Sequence, residues 1–156
     1  MAEVTEKLEE MDVWIYHGQI YIPNTYSAGA VGSRFLTELR DRKRIMGTRC
    51  PACNRVYVPA RSVCKDCFNQ LDEWVEVSNK GTVLSYSVCC QPNPVQPVGV
   101  PLVYGIIQLD GADTGFVHML GELDFEQLRI GMRVQAVFRK ERVASILDIK
   151  YFKPLG

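Results

Sequence analysis

The stretch that decides the fold is RCPACNRVYVPARSVCKDCF, residues 49–68, which contains four of the six cysteines in the chain. Cys50 and Cys53 form one C-x-x-C pair, and Cys64 and Cys67 form a second, with ten residues between the pairs. Two such knuckles can present four thiolates at the corners of a tetrahedron, about 2.3 Å from a zinc ion. The spacing therefore predicts a rubredoxin-like zinc ribbon in which all four cysteines are metal ligands.

The residues around the cysteines fit tight turns and a short hairpin. Residues 55–58 are β-prone, and Pro59 suits a corner before the chain returns. Asn54 and Asn69 are predicted to adopt the left-handed conformation that such turns need, since Asn tolerates it better than most residues. The spacer is shorter than the commonest range for zinc ribbons.

Other uses of paired cysteines fit less well. Two disulfides are not expected in a reducing compartment. A dithiol redox centre needs one C-x-x-C pair at the start of a helix, whereas two pairs flank a hairpin here. Iron would use the same four ligands, although rubredoxin knuckles usually continue with glycine, which is absent. A closed shell of four thiolates leaves no open coordination position, so the zinc is predicted to be structural.

The composition describes a folded chain with no overall charge. Of the 156 residues, 47% are apolar, and 18 basic residues balance 18 acidic ones. This excludes a disordered chain and gives no reason to expect a nucleic-acid partner. No run approaches the roughly 20 apolar residues of a membrane span, and the first residues lack the pattern of a secretory signal. We therefore expect a cytosolic protein without a membrane partner.

The segment before the ribbon is predicted to contain a helix. Ser33 is a suitable N-cap, the helix extends to about Met46, and Gly47 ends it. Its apolar face contains Phe35, Leu36 and Leu39. Residues 14–23 fit a short hairpin or, equally, an extended arm.

The second half of the chain is predicted to be a β-barrel. The candidate strands are residues 82–90, 101–110, 114–120, 132–140 and 142–152, and residues 121–131 read as a turn-helix connection. Five strands with one such connection fit an OB-fold, with a plain sandwich as the alternative. The fold class is thus mainly β. The predicted units are an arm (1–32), the helix with the ribbon (33–75) and the barrel (76–156).

Few residues are candidates for catalysis. Cys89 and Cys90 are adjacent in a strand and point to opposite faces, so one of them is expected to pack against the barrel. His118 shares a face with Phe116 and Leu120, which favours packing over a role as a base. The chain lacks the spacing of a catalytic triad and a glycine-rich phosphate loop. We predict no catalytic residue, and an exposed, semi-rigid loop at the proline-rich residues 91–101.

These features together resemble a known family. The helix, the two knuckles, the Trp74 bridge and the segments KGTVLSYSV (80–88), PLVYGIIQLD (101–110) and IGMRVQAVF (130–138) are similar to the zinc-ribbon/OB-fold acyl-CoA-associated family, over roughly residues 33–154. The resemblance implies a subunit without catalysis of its own that supports the acyl-CoA site of a thiolase or a hotdog-fold hydratase. Within the family, the chain most resembles small zinc-binding subunits of bacterial thiolases that act on 2-benzoylsuccinyl-CoA in anaerobic toluene degradation.

Residues 40–65 hold eight basic residues and one acid. The resemblance implies that this basic segment binds coenzyme A. The phosphates of coenzyme A need Arg or Lys, and its adenine needs an apolar or aromatic face, for which Tyr57 is a candidate. The candidate cations are Arg40, Arg42, Lys43, Arg44, Arg49, Arg55 and Arg61.

Three alternatives to a CoA site remain. The cations complement the negative end of the helix and face water, or they contact an acidic partner subunit. A nucleic-acid-binding ribbon/OB protein is the third, disfavoured because no basic, aromatic barrel face is evident.

Overall fold

The computed structural model describes residues 25–92 and 96–155. The predicted hairpin or arm over residues 14–23 lies outside the described residues. The elements are helix α1 (Gly29–Arg42) and strands β1 (Ile45–Arg49), β2 (Val56–Tyr57), β3 (Glu73–Val77), β4 (Lys80–Cys89), β5 (Leu102–Leu109), β6 (Gly115–Leu120), β7 (Arg133–Phe138) and β8 (Ile149–Pro154), with a 3₁₀ turn at Ile146–Asp148.

The strands form two sheets. Strands β2, β1 and β3 make a small antiparallel sheet in that order, and β4, β5, β6, β8 and β7 close into a barrel. All barrel pairs are antiparallel except β6 with β8, which is the parallel contact of a Greek-key OB barrel. The predicted fold class, a helix and ribbon followed by a five-stranded OB-fold, is confirmed.

The helix boundaries differ from the prediction. Helix α1 begins at Gly29 and ends at Arg42, so Ser33 lies inside it, and Lys43 adopts the left-handed conformation that ends it. Residues 45–49 are a strand instead, because all five pair with β3. Gly47 does not stop the helix; a Cβ there would lie 2.8 Å from the carbonyl oxygen of Tyr57, so this glycine permits the close approach of β2.

Two other connections were predicted wrongly. Residues 121–131 contain turns but no helix. Strand β8 begins at Ile149 rather than at residue 142, because the buried carboxylate of Asp148 accepts hydrogen bonds from the backbone N–H groups of Val143 and Ser145 and folds this segment into a loop.

One hydrophobic core runs through the helix, one side of the ribbon and the barrel. From the helix and ribbon it includes Phe35, Leu39, Ile45, Val56 and Val58, and from the barrel it includes Val83, Ile107, Phe116, Val134 and Phe152. A second, smaller cluster contains Cys50, Tyr57, Cys64 and Leu71. The junction between helix and barrel is therefore formed by apolar packing and not by the cysteine cluster.

Hydrogen bonds also join the backbone of the ribbon to the barrel. Two residues of the turn between β5 and β6 bond to Val56 in β2 and to Val58 directly after it. Asp113 accepts from the N–H of Val56 (2.8 Å), and its own N–H donates to the Val56 carbonyl (2.9 Å). The hydroxyl of Thr114 accepts from the N–H of Val58 (2.8 Å) and donates to its carbonyl (2.9 Å). We refer to Asp113 and Thr114 as the clamp.

Candidate metal centre

The two knuckles are built in the same way. In the first, the N–H of Asn54 donates to the carbonyl of Cys50 (2.9 Å); in the second, the N–H of Phe68 donates to the carbonyl of Cys64 (3.1 Å). Asn54 and Phe68 both have left-handed backbones, with φ of 55° and 57°. The prediction for Asn54 is confirmed, whereas in the second knuckle Phe68 takes that conformation. Asn69 instead donates its side-chain Nδ2 to the sulfur of Cys67 (3.4 Å).

The knuckles bring the four sulfur atoms together. All four Sγ atoms lie within 4.8 Å of one another. Specific separations are 3.4 Å for Cys50 to Cys67, 3.4 Å for Cys53 to Cys64 and 3.8 Å for Cys53 to Cys67. A tetrahedral zinc ion with Zn–S distances of about 2.3 Å requires sulfurs about 3.8 Å apart, so the cluster fits this metal closely. The four cysteines are positioned to bind a zinc ion.

Tyr57 supports the cluster from inside the ribbon. Its side chain is fully buried, and its hydroxyl lies 3.2 Å from the sulfur of Cys64. This hydrogen bond lowers the pKa of Cys64 to about 5 and raises that of Tyr57 to about 12. Cys64 is therefore held as a thiolate at neutral pH, which is the protonation state of a metal ligand.

The thiol of Cys53 shows why the cluster needs a cation. The hydrogen bonds from Cys53 to Cys50 and Cys64, together with desolvation, raise the pKa of Cys53 to about 12. The neighbouring sulfurs thus favour the protonated form of Cys53, mainly through these hydrogen bonds and to a smaller extent through the charge of Cys50. A divalent metal ion supplies the positive charge that all four thiolates require.

Comparison with known proteins identifies the family. The family models for the rubredoxin-like zinc ribbon domain and the C-terminal OB-fold domain of ChsH2 match residues 37–73 and 74–139. A DUF35 domain-containing scaffold protein of Methanocaldococcus jannaschii is 32% identical over 103 residues, which cover 65% of this chain and 72% of that protein. A protein of the same description from Methanothermobacter thermautotrophicus is 33% identical over 105 residues, covering 65% and 77%. This chain belongs to the DUF35 family.

Solved structures agree with the assignment. A chain of the Ltp2-ChsH2(DUF35) aldolase superposes on this DUF35 protein with a TM-score of 0.60 at 26% identity, over 78% of this chain and 93% of that one. A DUF35 protein of unknown function from Sulfolobus solfataricus superposes with a TM-score of 0.58 at 24% identity, over 70% and 78%, which shows the shared fold. Among the described residues of this DUF35 chain, no helix is long and apolar enough to cross a membrane.

Most of the predicted CoA-binding cations of this DUF35 protein are engaged in ion pairs. The pairs are Arg40 with Asp41 (2.7 Å), Arg42 with Glu38 (3.0 Å), Arg44 with Glu38 and Glu76 (2.9 and 3.2 Å), Arg49 with Glu73 (3.6 Å) and Arg55 with Asp66 (2.7 Å). Lys43 and Arg61 have no acidic partner among the residues that the structure describes. These two residues are therefore the cations most available to an anionic ligand.

Tyr57 must be removed from the predicted CoA-binding set. Its ring is wholly covered, with the guanidinium of Arg61 5.9 Å from the ring centroid, so no base can stack on it. The ring belongs to the small buried cluster with Cys50, Cys64 and Leu71.

Two of the three candidate catalytic residues, Cys89 and His118, are engaged in hydrogen bonds in the described part of the chain. Cys89 is half-buried and accepts a hydrogen bond from Gln96 (3.1 Å), and Cys90 is exposed. His118 is buried; the N–H of Met119 donates to its Nδ1 (2.9 Å), so its Nε2 carries the proton and donates to the carbonyl of Ile146 (3.2 Å). A neutral histidine with both nitrogens engaged cannot serve as an exposed base.

Sequence reasoning missed the clamp and the hydroxyl of Tyr57. The partners of Asp113 and Thr114 lie 57 and 56 residues away, so no local pattern indicates them. For Tyr57, the sequence did offer a sign of its contact with the cluster, namely an aromatic residue between two C-x-x-C pairs.

Proposed function

We propose that this DUF35 protein is a non-catalytic accessory subunit that assembles with an acyl-CoA-handling enzyme and supports its substrate site. The observation that carries the proposal is the closed group of four cysteine sulfurs, which leaves a bound metal no free position for substrate. His118 and Cys89, the best catalytic candidates in the described chain, are both engaged in internal hydrogen bonds. A scaffold role agrees with the description of the archaeal relatives.

The proposed partner is a thiolase-type catalytic subunit, with 2-benzoylsuccinyl-CoA as the proposed substrate in anaerobic toluene degradation. This assignment rests on the resemblance of the knuckles and barrel segments to that group of subunits. A hotdog-fold hydratase is the alternative partner. The Ltp2-ChsH2(DUF35) aldolase supports the general idea, since its name joins a DUF35 chain with a second protein in one enzyme.

The proposed contacts with coenzyme A lie at the two ends of α1. Lys43 ends the helix, whereas Arg61, in the ribbon, lines a small cavity with Val31 and Gly32 near the start of the helix. Neither cation has an acidic partner in the described structure. The cations Arg40, Arg42, Arg44, Arg49 and Arg55 are matched by five acidic partners, so each would have to exchange its carboxylate for a phosphate. Lys43 and Arg61 are therefore proposed as the principal phosphate ligands.

Reconstitution tests the accessory role. The zinc-loaded chain is assayed for CoA-dependent thiolysis of 2-benzoylsuccinyl-CoA alone, and then with the candidate thiolase subunit. We expect no turnover from the chain alone, and turnover by the thiolase only when the chain is present. Turnover by the isolated chain, or full activity of the thiolase without it, would contradict the proposal.

Charge reversal tests the CoA contact within the active complex. Lys43→Glu and Arg61→Glu are expected to raise KM for the acyl-CoA by about tenfold each, the loss expected for one charge-assisted hydrogen bond. Arg129→Glu is the matched control, because Arg129 is also exposed but lies on a barrel loop. An equal rise in KM for all three variants would show a general effect of charge and no contact at this site.

A further inference from the structure

A cavity at one end of the barrel lies outside the cysteine cluster and the basic helix end. Its volume is about 290 Å³, close to the lower limit of about 300 Å³ for small-molecule sites. Leu102, Met119 and Leu120 come from barrel strands, and Leu123, Phe125 and Val98 come from the connections on either side. The surface inside is mostly apolar, with Met119 and Leu120 almost wholly buried at its base.

The cavity is lined by more basic than acidic side chains. Its four polar residues are Glu122, Arg139, Lys150 and Tyr151. The one acidic residue already has partners. The carboxylate of Glu122 accepts a hydrogen bond from the hydroxyl of Tyr151 and lies 3.6 Å from the ammonium of Lys153. The hydrogen bond from Tyr151, aided by Lys153, keeps the pKa of Glu122 below its usual range, so it stays a carboxylate bound to these groups.

The two cations of the cavity have no such partner. Neither Arg139 nor Lys150 makes a salt bridge with any residue in the described ranges, and both are exposed. The ammonium of Lys150 lies 5.1 Å from the ring centroid of Tyr151, which places it beside the cavity wall. The charge of Lys150 also helps to lower the pKa of Glu122, but the cavity still holds two cations against one acid. An apolar chamber lined by two exposed cations without an ion pair is complementary to a molecule with an apolar body and one anionic end.

We propose that this cavity binds a small amphipathic carboxylate, an alkyl or aryl acid, with its apolar body against Met119, Leu120 and Leu123 and its carboxylate between Lys150 and Arg139. An apolar side chain of a partner protein would fill the chamber equally well but would leave both cations without an anion. The site is independent of the accessory role, and it is testable on the chain alone.

Methyl NMR of the zinc-loaded full chain, labelled at the methionine methyl groups, locates the ligand directly. Octanoate is the probe. The resonance of Met119, in the cavity wall, is expected to shift saturably, while Met46 in β1 and Met132 before β7 stay unchanged as internal controls. Octan-1-ol and octylamine, which keep the chain and replace the anion, are expected to bind about tenfold more weakly or not at all.

Three variants complete the test. Leu123→Trp fills the chamber and is expected to abolish the Met119 shift. The double change Arg139→Gln with Lys150→Gln is expected to weaken octanoate binding at least about tenfold, whereas Arg129→Gln with Lys140→Gln, an equal loss of charge at two exposed residues outside the cavity, leaves it unchanged. A Met119 resonance that does not move, equal binding of octylamine, or unaltered binding by Leu123→Trp each overturns the proposal.

Discussion

The ribbon and the barrel are stabilised by different means, although they share one chain and one interface. The barrel and the inner side of the ribbon contribute to a core of eighteen buried residues, whereas the outer end of the ribbon has a cluster of four, two of which are cysteines of the metal centre. We expect burial of apolar surface to be enough for the first region. We expect the second region to depend on a metal ion, because it has little apolar area. The two regions would then differ in what a single substitution removes, a metal ligand in one and apolar packing in the other.

Removing one cysteine ligand of the metal centre is the strongest test of this difference between the ribbon and the barrel. Cys64→Ser is expected to release zinc and unfold the outer ribbon, because structural zinc contributes about 10–16 kcal/mol in zinc-finger peptides. Loss of the ribbon surface is also expected to dissociate the partner subunit. Metal analysis and amide NMR are the measurements: the barrel resonances should persist while those of residues 49–71 collapse.

Cys90→Ser is the control for this experiment, since Cys90 is an exposed thiol outside the cluster. It should retain zinc and the full spectrum. A Cys64→Ser protein that kept both one zinc ion and its partner would refute the structural role of the metal.

A substitution in the barrel core should destabilise the barrel and leave the zinc bound. Phe152→Ala removes a fully buried ring that contacts Phe116 and His118, and should lower the free energy of unfolding by about 3–5 kcal/mol. Urea denaturation gives the loss, and metal analysis should still find zinc bound to the folded fraction. Val117→Ala, on an exposed barrel position, should change stability by less than about 0.5 kcal/mol. If Phe152→Ala lost zinc while its barrel was still folded, the metal centre would depend on the barrel core. This result would contradict the expected difference between the two regions.

The clamp tests whether the two regions fold as one unit. Thr114→Val removes the hydroxyl that serves both the N–H and the carbonyl of Val58, and should cost about 1–3 kcal/mol because these groups lose their partner. Hydrogen exchange should then show β2 opening more often than the barrel strands. Thr114→Ser keeps the hydroxyl and should behave like the wild type; equal exchange rates in all three proteins would count against the clamp.

The smallest expected effect concerns pH. Burial lowers the pKa of His118, against the opposing influence of the hydrogen bonds to Ile146 and Met119. The unfolded chain therefore takes up the proton first, at a pKa near 6.5, and stability falls as the pH drops from about 7 towards the lower folded pKa. The slope from this one group is at most about 1.4 kcal/mol per pH unit.

Urea unfolding between pH 7.5 and 5.5 measures that slope. His118→Phe should reduce the slope of the unfolding free energy with pH, whatever its effect on stability at pH 7.5. The other histidine, His17, is present in both proteins and cannot account for the difference. Identical slopes for the two proteins would exclude His118 as their source. Below about pH 4 the ion-paired carboxylates of Asp110 and Glu122, whose pKa values are lowered, add their own loss in both proteins.

The parts of the fold that local chemistry determines were predictable from the sequence. The C-x-x-C spacing determines the sulfur cluster, and alternating apolar residues determine the barrel strands. The helix end was not predictable, because the pairing of residues 45–49 with β3 overrides the stop signal of Gly47. The assignment of Tyr57 to a ligand face was wrong for another reason: its ring is buried with Cys50, Cys64 and Leu71, and its hydroxyl lies against the sulfur of Cys64.

Native mass spectrometry of the tagged protein, recovered from its own host, tests the central claim most directly. The metal and any bound protein are weighed in one complex. We predict one zinc ion in this chain and a catalytic partner of thiolase type in the same complex. A zinc-loaded chain without a partner, or one that carries nucleic acid, would contradict the claim that this DUF35 protein is an accessory subunit of an acyl-CoA enzyme.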